Sequence, residues 1–320
     1  MKLRGFFCIA VTAVAYGSGW ENYRDQASKL LLQGRPEEAR QVLEAGMREI
    51  RLQSNVSAEL AAALNDVGVF AHDFAMFDEA ERFLKESVAV WGRISESSPN
   101  MGHPLTNLAG LRLEQRRYSD AEKLYRRAER IVVLGFGPES PEAAEVYRGL
   151  ADVRTELRQY REAEDFAKRA LTILETAGGD GLGNALFVLA KIEWKQGRRT
   201  EAEARLRRAV ALWRESLGPR HPTYASGLAS LAVFLSNSAP AEAERLFREA
   251  LEVTESSLGA NNPYVGQLLL DYGRHLQLQG RKSEAKSLRL RRSAILSEHS
   301  RENLSQHTVD FSALKPAPKR

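Results

Sequence analysis

The chain has 320 residues, 43% hydrophobic and 28% charged, with 46 Lys+Arg against 42 Asp+Glu and a pI near 9.1. That apolar content excludes a chain disordered throughout, and 23 glycines with 11 prolines exclude a collagen-like or low-complexity protein. A single cysteine, Cys8, excludes a disulfide framework and a cysteine-rich zinc site.

The first residues, Met1-Lys2-Leu3-Arg4, carry two positive charges and lead into an uncharged run from Phe6 to Tyr16. Small residues follow at Ala13-Val14-Ala15 and again at Gly17-Ser18-Gly19. A charged start, a short apolar core and a small-residue exit read as a secretory signal peptide over 1–19, cut between Ala15 and Gly19. The alternatives are an uncleaved N-terminal anchor or a buried first helix. The run falls short of the about 20 apolar residues of a membrane-spanning helix. Gly5-Phe6-Phe7 ahead of Cys8 lacks the Leu-small-small lead of a lipoprotein. The mature protein is therefore expected in the periplasm or secreted.

From there the chain repeats itself. Glu38-Ala39-Arg40, Glu79-Ala80-Glu81, Asp120-Ala121-Glu122, Glu162-Ala163-Glu164, Glu201-Ala202-Glu203, Glu242-Ala243-Glu244 and Glu284-Ala285-Lys286 place seven alanines 41, 41, 42, 39, 41 and 42 residues apart. Ala121, Ala163 and Ala243 each open an i, i+3, i+4, i+7 apolar stripe, as in Ala121, Leu124, Tyr125 and Ala128, which predicts an amphipathic helix after each anchor, with Arg292 in the last copy where a small residue is usual. A Leu/Ala-rich helix is predicted ahead of each anchor, over Leu105 to Arg116, Val146 to Arg158, Leu186 to Gln196 and Leu228 to Leu235. Short turns such as Gly197-Arg198-Arg199 and Gly280-Arg281-Lys282 join the two helices, with glycine suited to a left-handed cap. Breakers such as Gly218-Pro219-Arg220-His221-Pro222 separate the pairs. No long stretch alternates with period two, so no sheet is expected. One helical hairpin cannot bury its apolar face alone. Stacking about seven predicts an all-α, right-handed superhelical solenoid over 20–296, followed by a basic tail over 297–320 that is partly disordered.

Leu217-Gly218-Pro219-Arg220-His221-Pro222, Asn107-Leu108-Ala109-Gly110-Leu111 and Tyr118-Ser119-Asp120-Ala121-Glu122-Lys123-Leu124-Tyr125-Arg126-Arg127-Ala128 resemble the connector, first helix and turn-plus-second-helix of the tetratricopeptide repeat. The match is closest to its longer, kinesin-light-chain-like variety, and it covers about 21–296. Gly178-Gly179-Asp180-Gly181-Leu182-Gly183 departs from the usual connector, and Asn237-Ser238-Ala239-Pro240 lacks the usual Gly-Arg turn. The resemblance implies that the first helix of each pair lines a concave groove for an extended peptide or a helix. Aligned on the anchors, the groove candidates are Asn65, Asp66, Asn107, Arg148, Asp152, Asn184, Lys191, Trp194, Ser226, Gln267 and Arg274. Asparagine amides can bracket a peptide backbone, and Arg or Lys can hold carboxylates. Taken one at a time, each polar one is better read as an ordinary solvated residue; the set says more than any member. Tyr125, Phe166, Phe247, Trp91 and Trp213 fall on second helices and most are expected in the core, leaving Trp194 on a first helix as the best candidate for an aromatic groove anchor.

Catalytic chemistry finds no foothold. No H-x-x-x-H, H-E-x-x-H or G-x-S-x-G occurs, and cleavage of the leader would remove the one thiol. His103 and His221 precede prolines in connectors, and the paired glutamates recur with the repeat as solvated helix starts. The glycine run at 178–183 lacks phosphate-loop spacing and reads as a flexible connector. No catalytic residue, metal site or cofactor is expected. The expected function is an exported, non-enzymatic protein-interaction scaffold with a protein or peptide partner. The alternative is a cell-envelope assembly or secretion-complex factor touching membrane or polysaccharide through its basic end, Arg281, Lys282, Lys286, Arg289, Arg291 and Arg292. Nucleic acid is not an expected partner, for basic and aromatic residues do not interleave. Residues 21–280 carry 34 basic and 38 acidic side chains, so the basic pI belongs to the two ends.

Overall fold

The computed structural model describes residues 19–33, 35–73, 76–177 and 181–304. Apart from Gly19, the expected leader lies outside these residues, as does the expected tail beyond Leu304. Fourteen α-helices and no strand occur among the described residues, in seven consecutive pairs. The pairs are α1 (Trp20–Leu32) with α2 (Pro36–Gln53), α3 (Ala58–Asp73) with α4 (Phe77–Ile94), and α5 (Gly102–Glu114) with α6 (Tyr118–Phe136). They continue as α7 (Pro141–Glu156) with α8 (Tyr160–Ala177), α9 (Gly181–Lys195) with α10 (Arg199–Ser216), α11 (Pro222–Leu235) with α12 (Pro240–Leu258), and α13 (Pro263–Leu278) with α14 (Lys282–Leu304). The architecture is an all-α repeat solenoid.

The described helices fall into two compact units. One comprises Glu37–Arg205 with the residues up to Ser28, and the other Leu206 onward with Lys29–Pro36, so that one division falls inside α10. In the larger unit the hairpins α3–α4, α5–α6 and α7–α8 pack tightly, and the first helices α3, α5, α7 and α9 lie side by side. In the smaller unit α11–α12 and α13–α14 are the hairpins, and α11 lies against α13.

The anchor alanines Ala39, Ala80, Ala121, Ala163, Ala202, Ala243 and Ala285 are all buried, as their regular spacing requires of a packing position. Glycines on first helices serve the same close approach. A Cβ on Gly149 would sit 2.1 Å from Tyr125 Cε1, and one on Gly227 would sit 2.7 Å from the Trp213 ring. Tyr125, Phe247, Trp91 and Trp213 are core residues, while Phe166 is half-buried, stacked on Tyr147 with ring centroids 6.1 Å apart.

In four of the hairpins the turn has one left-handed residue, five before the anchor. Gly197 and Gly280 occupy it at φ 83° and 76°, and Arg116 and Arg158 adopt it at 61° and 63°. Helix starts follow a second local rule. Ser140 Oγ, His221 Nδ1 and Asn262 Oδ1 accept from the backbone N–H of Ala143, Thr223 and Tyr264 at 3.2, 3.1 and 2.9 Å, each with proline as the next residue.

Three readings are corrected. His103 is not in a connector but in the first turn of α5. Gly181–Gly183 is not connector but the first turn of α9, which replaces the missing proline start; residues 178–180 lie outside the described residues. The second glutamate of the repeated pair is not a solvated helix start. Glu81, Glu122, Glu164 and Glu244 each receive an arginine from the following repeat: Arg112 at 2.5 Å, Arg154, Arg198 at 2.7 Å and Arg281 at 2.6 Å. The hydrogen bond from Arg112 holds the Glu81 carboxyl down at about 2.

Candidate groove on the first helices

In the larger unit the groove candidates form two clusters. The first runs across α1, α3 and α5. Trp20 Nε1 donates to Asp66 Oδ2 at 2.8 Å, Asn65 Nδ2 donates to Asp66 Oδ1 at 3.3 Å, and Asn107 Nδ2 donates to Asn65 Oδ1 at 2.8 Å. Asn65 is thereby used on both its oxygen and its nitrogen. Asn107 gives one N–H bond and keeps its carbonyl oxygen for an incoming donor. Burial pushes the Asp66 carboxyl up to about 6, against the opposing pull of the Trp20 bond and the Arg24 charge. Beside this relay opens a shallow cleft, continuous with solvent, lined by Trp20, Glu21, Arg24, Asn65, Asp66 and His103 among others. Burial lowers the His103 imidazole to about 4, so it stands neutral at the cleft wall.

The second cluster spans α7 and α9. Arg148 Nε donates to Glu145 Oε2 at 2.9 Å and its Nη1 stands 3.9 Å from Asp152 Oδ2. Lys191 Nζ pairs with Asp152 and lies 3.9 Å from Glu156 Oε1. Three carboxylates thus enclose two cations in a largely buried chain. Burial works against the Arg148 charge, but Glu145 and Asp152 outweigh it and raise its pKa. Arg148 and Lys191 already hold carboxylates, those of their own chain. The first helices α3, α5, α7 and α9 together carry nine acidic and five basic side chains, so this face is negative. Asn184 and Trp194, at the two ends of α9, are both half-buried.

The smaller unit holds the other three candidates. Ser226 is buried on α11. On α13, Gln267 Nε2 and Arg274 Nη1 both donate to Asp271, at 2.9 and 3.1 Å. Asp271, Glu145, Glu156, Trp20 and Arg24 escaped the sequence reading. The first three stand three or four residues from a candidate on the same helix, so extending each candidate along its i, i+4 stripe finds them. Trp20 and Arg24 belong to the first helix, whose repeat boundary has no proline to mark it. No group of three or more metal-ligating side chains occurs among the described residues.

Comparison with known proteins agrees with this architecture. Models described as tetratricopeptide repeat match residues 59–132 and 100–176, and further residues 185–223 and 225–264. Among solved structures, BtubC (BKLC) from P. vanneervenii aligns with 18% identity and a TM-score of 0.52, covering 78% of this chain and 94% of that one. The apo form of RapI aligns with 14% identity and a TM-score of 0.59, over 88% of this chain and 99% of that one. A Rap protein complexed with competence and sporulation factor aligns with 11% identity and a TM-score of 0.56, over the same shares. At such identities the likeness is one of fold. A search of curated protein sequences returns no match. The repeat spacing, the buried anchors and the matched models together place the chain in the tetratricopeptide repeat family.

Proposed function

We propose that the protein is an exported, non-enzymatic interaction scaffold whose larger unit holds a peptide or helix of a partner protein along α3, α5, α7 and α9. The observation that carries this reading is the half-used amide of Asn107, next in line to an open cleft on the same helices. A peptide N–H meets a ready acceptor there, worth about 0.5–1.5 kcal/mol net for a hydrogen bond exchanged with water. The negative face and the internally paired cations favour a ligand that is neutral or basic, not one led by carboxylates. The Rap protein solved with competence and sporulation factor is a precedent for a scaffold of this fold capturing a factor. The test is affinity capture with the mature protein and with Asn107→Ala. A saturable protein or peptide partner is expected, with binding at least tenfold weaker for the variant at a temperature where both proteins are fully folded, since loss of the Asn65 bond also lowers the variant's thermal stability. No saturable partner, together with turnover in a substrate screen, refutes the reading.

A second reading gives α14 an anionic surface to bind. Lys282, Lys286 and Arg289 are exposed at i, i+4 and i+7 spacing, and Leu290 beside them is 61% exposed. No helix among the described residues is long and apolar enough to cross a membrane. Sedimentation with vesicles containing anionic lipid is expected to fall when these three residues are reversed to glutamate. Unchanged sedimentation counts against it.

A further inference from the structure

The start of α1 is held unusually firmly for a chain entry. Trp20, its first residue, is 2% exposed. Its indole is fixed to Asp66, and its backbone nitrogen donates to Glu59 Oε1 at 3.1 Å, so two carboxylates of α3 grip one residue. Gly19 before it is exposed, and a Cβ there would lie 3.0 Å from Glu59 Oε1. Gly17 and Gly19 also stand three and one residues before the 19–20 bond, the small-x-small spacing of signal-peptidase sites.

We propose that the leader is removed at the Gly19–Trp20 bond, and that the ammonium so created on Trp20 docks on the Glu59 carboxylate. The proposal rests on the exported reading above and decides between its two small-residue sites. Water adds across the amide. Gly19 leaves as a carboxylate and Trp20 gains an amine, protonated below its ordinary pKa of about 8 and held so to higher pH by Glu59. A neutral N–H donor thereby becomes a charged one at the same place, and charge-assisted bonds are roughly twice as strong. The positive end of the α1 dipole opposes an ammonium there. Glu59 and the neighbouring Asp66 counter it. A cut after Ala15 gains none of this, because it leaves the new charge four residues short of the acceptor. Burial of Trp20 is no obstacle, since the leader is cut from the unfolded chain during export.

The full chain, expressed with its own leader in a secreting bacterial host, is to be purified and its N-terminus sequenced. A start at Trp20 is expected. A start at Tyr16 overturns this inference and leaves the export reading standing, whereas an intact Met1 overturns both. Docking is tested separately by urea unfolding of chains 20–320 and 16–320 from pH 6 to 10. The shorter chain is expected to have a roughly tenfold larger folding constant at pH 6.5. The sign follows from a pKa raised by folding: the advantage is complete below about 8 and is lost as pH rises through the raised value. It should also vanish in Glu59→Gln. Equal stability of the two chains at every pH overturns the docking.

Discussion

At the scale of single residues, the left-handed turns at Arg116 and Arg158 are the clearest local strain. A side chain at φ near 60° costs about 1–2 kcal/mol, while glycine there loses about 0.5–1 kcal/mol more backbone entropy on folding. Arg116→Gly and Arg158→Gly are therefore expected to stabilise by about 0.5–1 kcal/mol each, read by urea unfolding. Gly149 runs the other way. Gly149→Ala drives a methyl into the Tyr125 ring and should destabilise by about 1–3 kcal/mol, with partial rescue by Tyr125→Leu, which vacates that space. Asp66 gives a pH signature. Its folded pKa of about 6 lies above the usual carboxylate value, so the fold favours the protonated form. Its contribution is complete below about 4 and lost as pH rises through 6. Asp66→Asn, which keeps an acceptor for Trp20, should leave stability at pH 4 unchanged and raise it at pH 8.

At the scale of helices, two buried histidines respond to pH in opposite senses. His72 on α3 pays a desolvation penalty, but Glu114, at 3.1 Å, and Asp73 more than offset it and raise its pKa to about 10. Its stabilising charge is present below the unfolded value near 6.5 and is lost toward pH 10. His275 on α13 is 1% exposed between Phe247 and Tyr272, and neither ring nitrogen has a hydrogen-bond partner among the described residues. Desolvation lowers its pKa, with Glu244 pulling up and Arg281 pushing down. Here stability is complete above about 6.5 and is lost as pH falls. Acidification from pH 7.5 to 5 should thus lower the amide protection factors, corrected for intrinsic exchange, in α13 and spare those of α3. His275→Phe, which suits the aromatic site, should abolish that acid sensitivity. Unchanged acid sensitivity in the variant refutes the assignment.

At the scale of the whole molecule, the seven hairpins were legible because packing leaves a periodic trace. An alanine that must touch its neighbour recurs wherever the neighbour recurs, and Ala39 to Ala285 are buried as that argument requires. The α9 start was not legible, because Gly181-Leu182-Gly183 carries no helix signal, and the glycine at 181 answers to space instead: a Cβ there would sit 2.7 Å from Glu145 Oε1 and 3.2 Å from Leu174. Among candidate site residues, Asn65 and Asn107 were found as a pair because their alignment is one repeat apart. The chain of Glu145, Arg148, Asp152, Lys191 and Glu156 was half found. Spacing shows which residues share a face but not which of them satisfy one another. Nearest-neighbour packing also predicts that unfolding is not one concerted step: urea transitions followed by amide exchange in α5 and in α13 should fail to coincide.

The arginine-to-glutamate rungs between successive repeats bear on how such a chain changes length over evolutionary time. Each rung joins one copy only to the next; the acceptor recurs just after the anchor alanine, and the donor stands on the first helix (Arg112, Arg154) or in the turn that follows it (Arg198, Arg281). Excising residues 122–163 would remove Glu122 and Arg154 together and bring Glu164 to the place Glu122 held, still facing Arg198. Arg112 would keep Glu81. No charge is stranded by the loss of a copy, nor by its duplication. The gene can therefore gain or lose whole units without first inventing compensating mutations, so a scaffold of this kind can lengthen or shorten its binding face in a single recombination event.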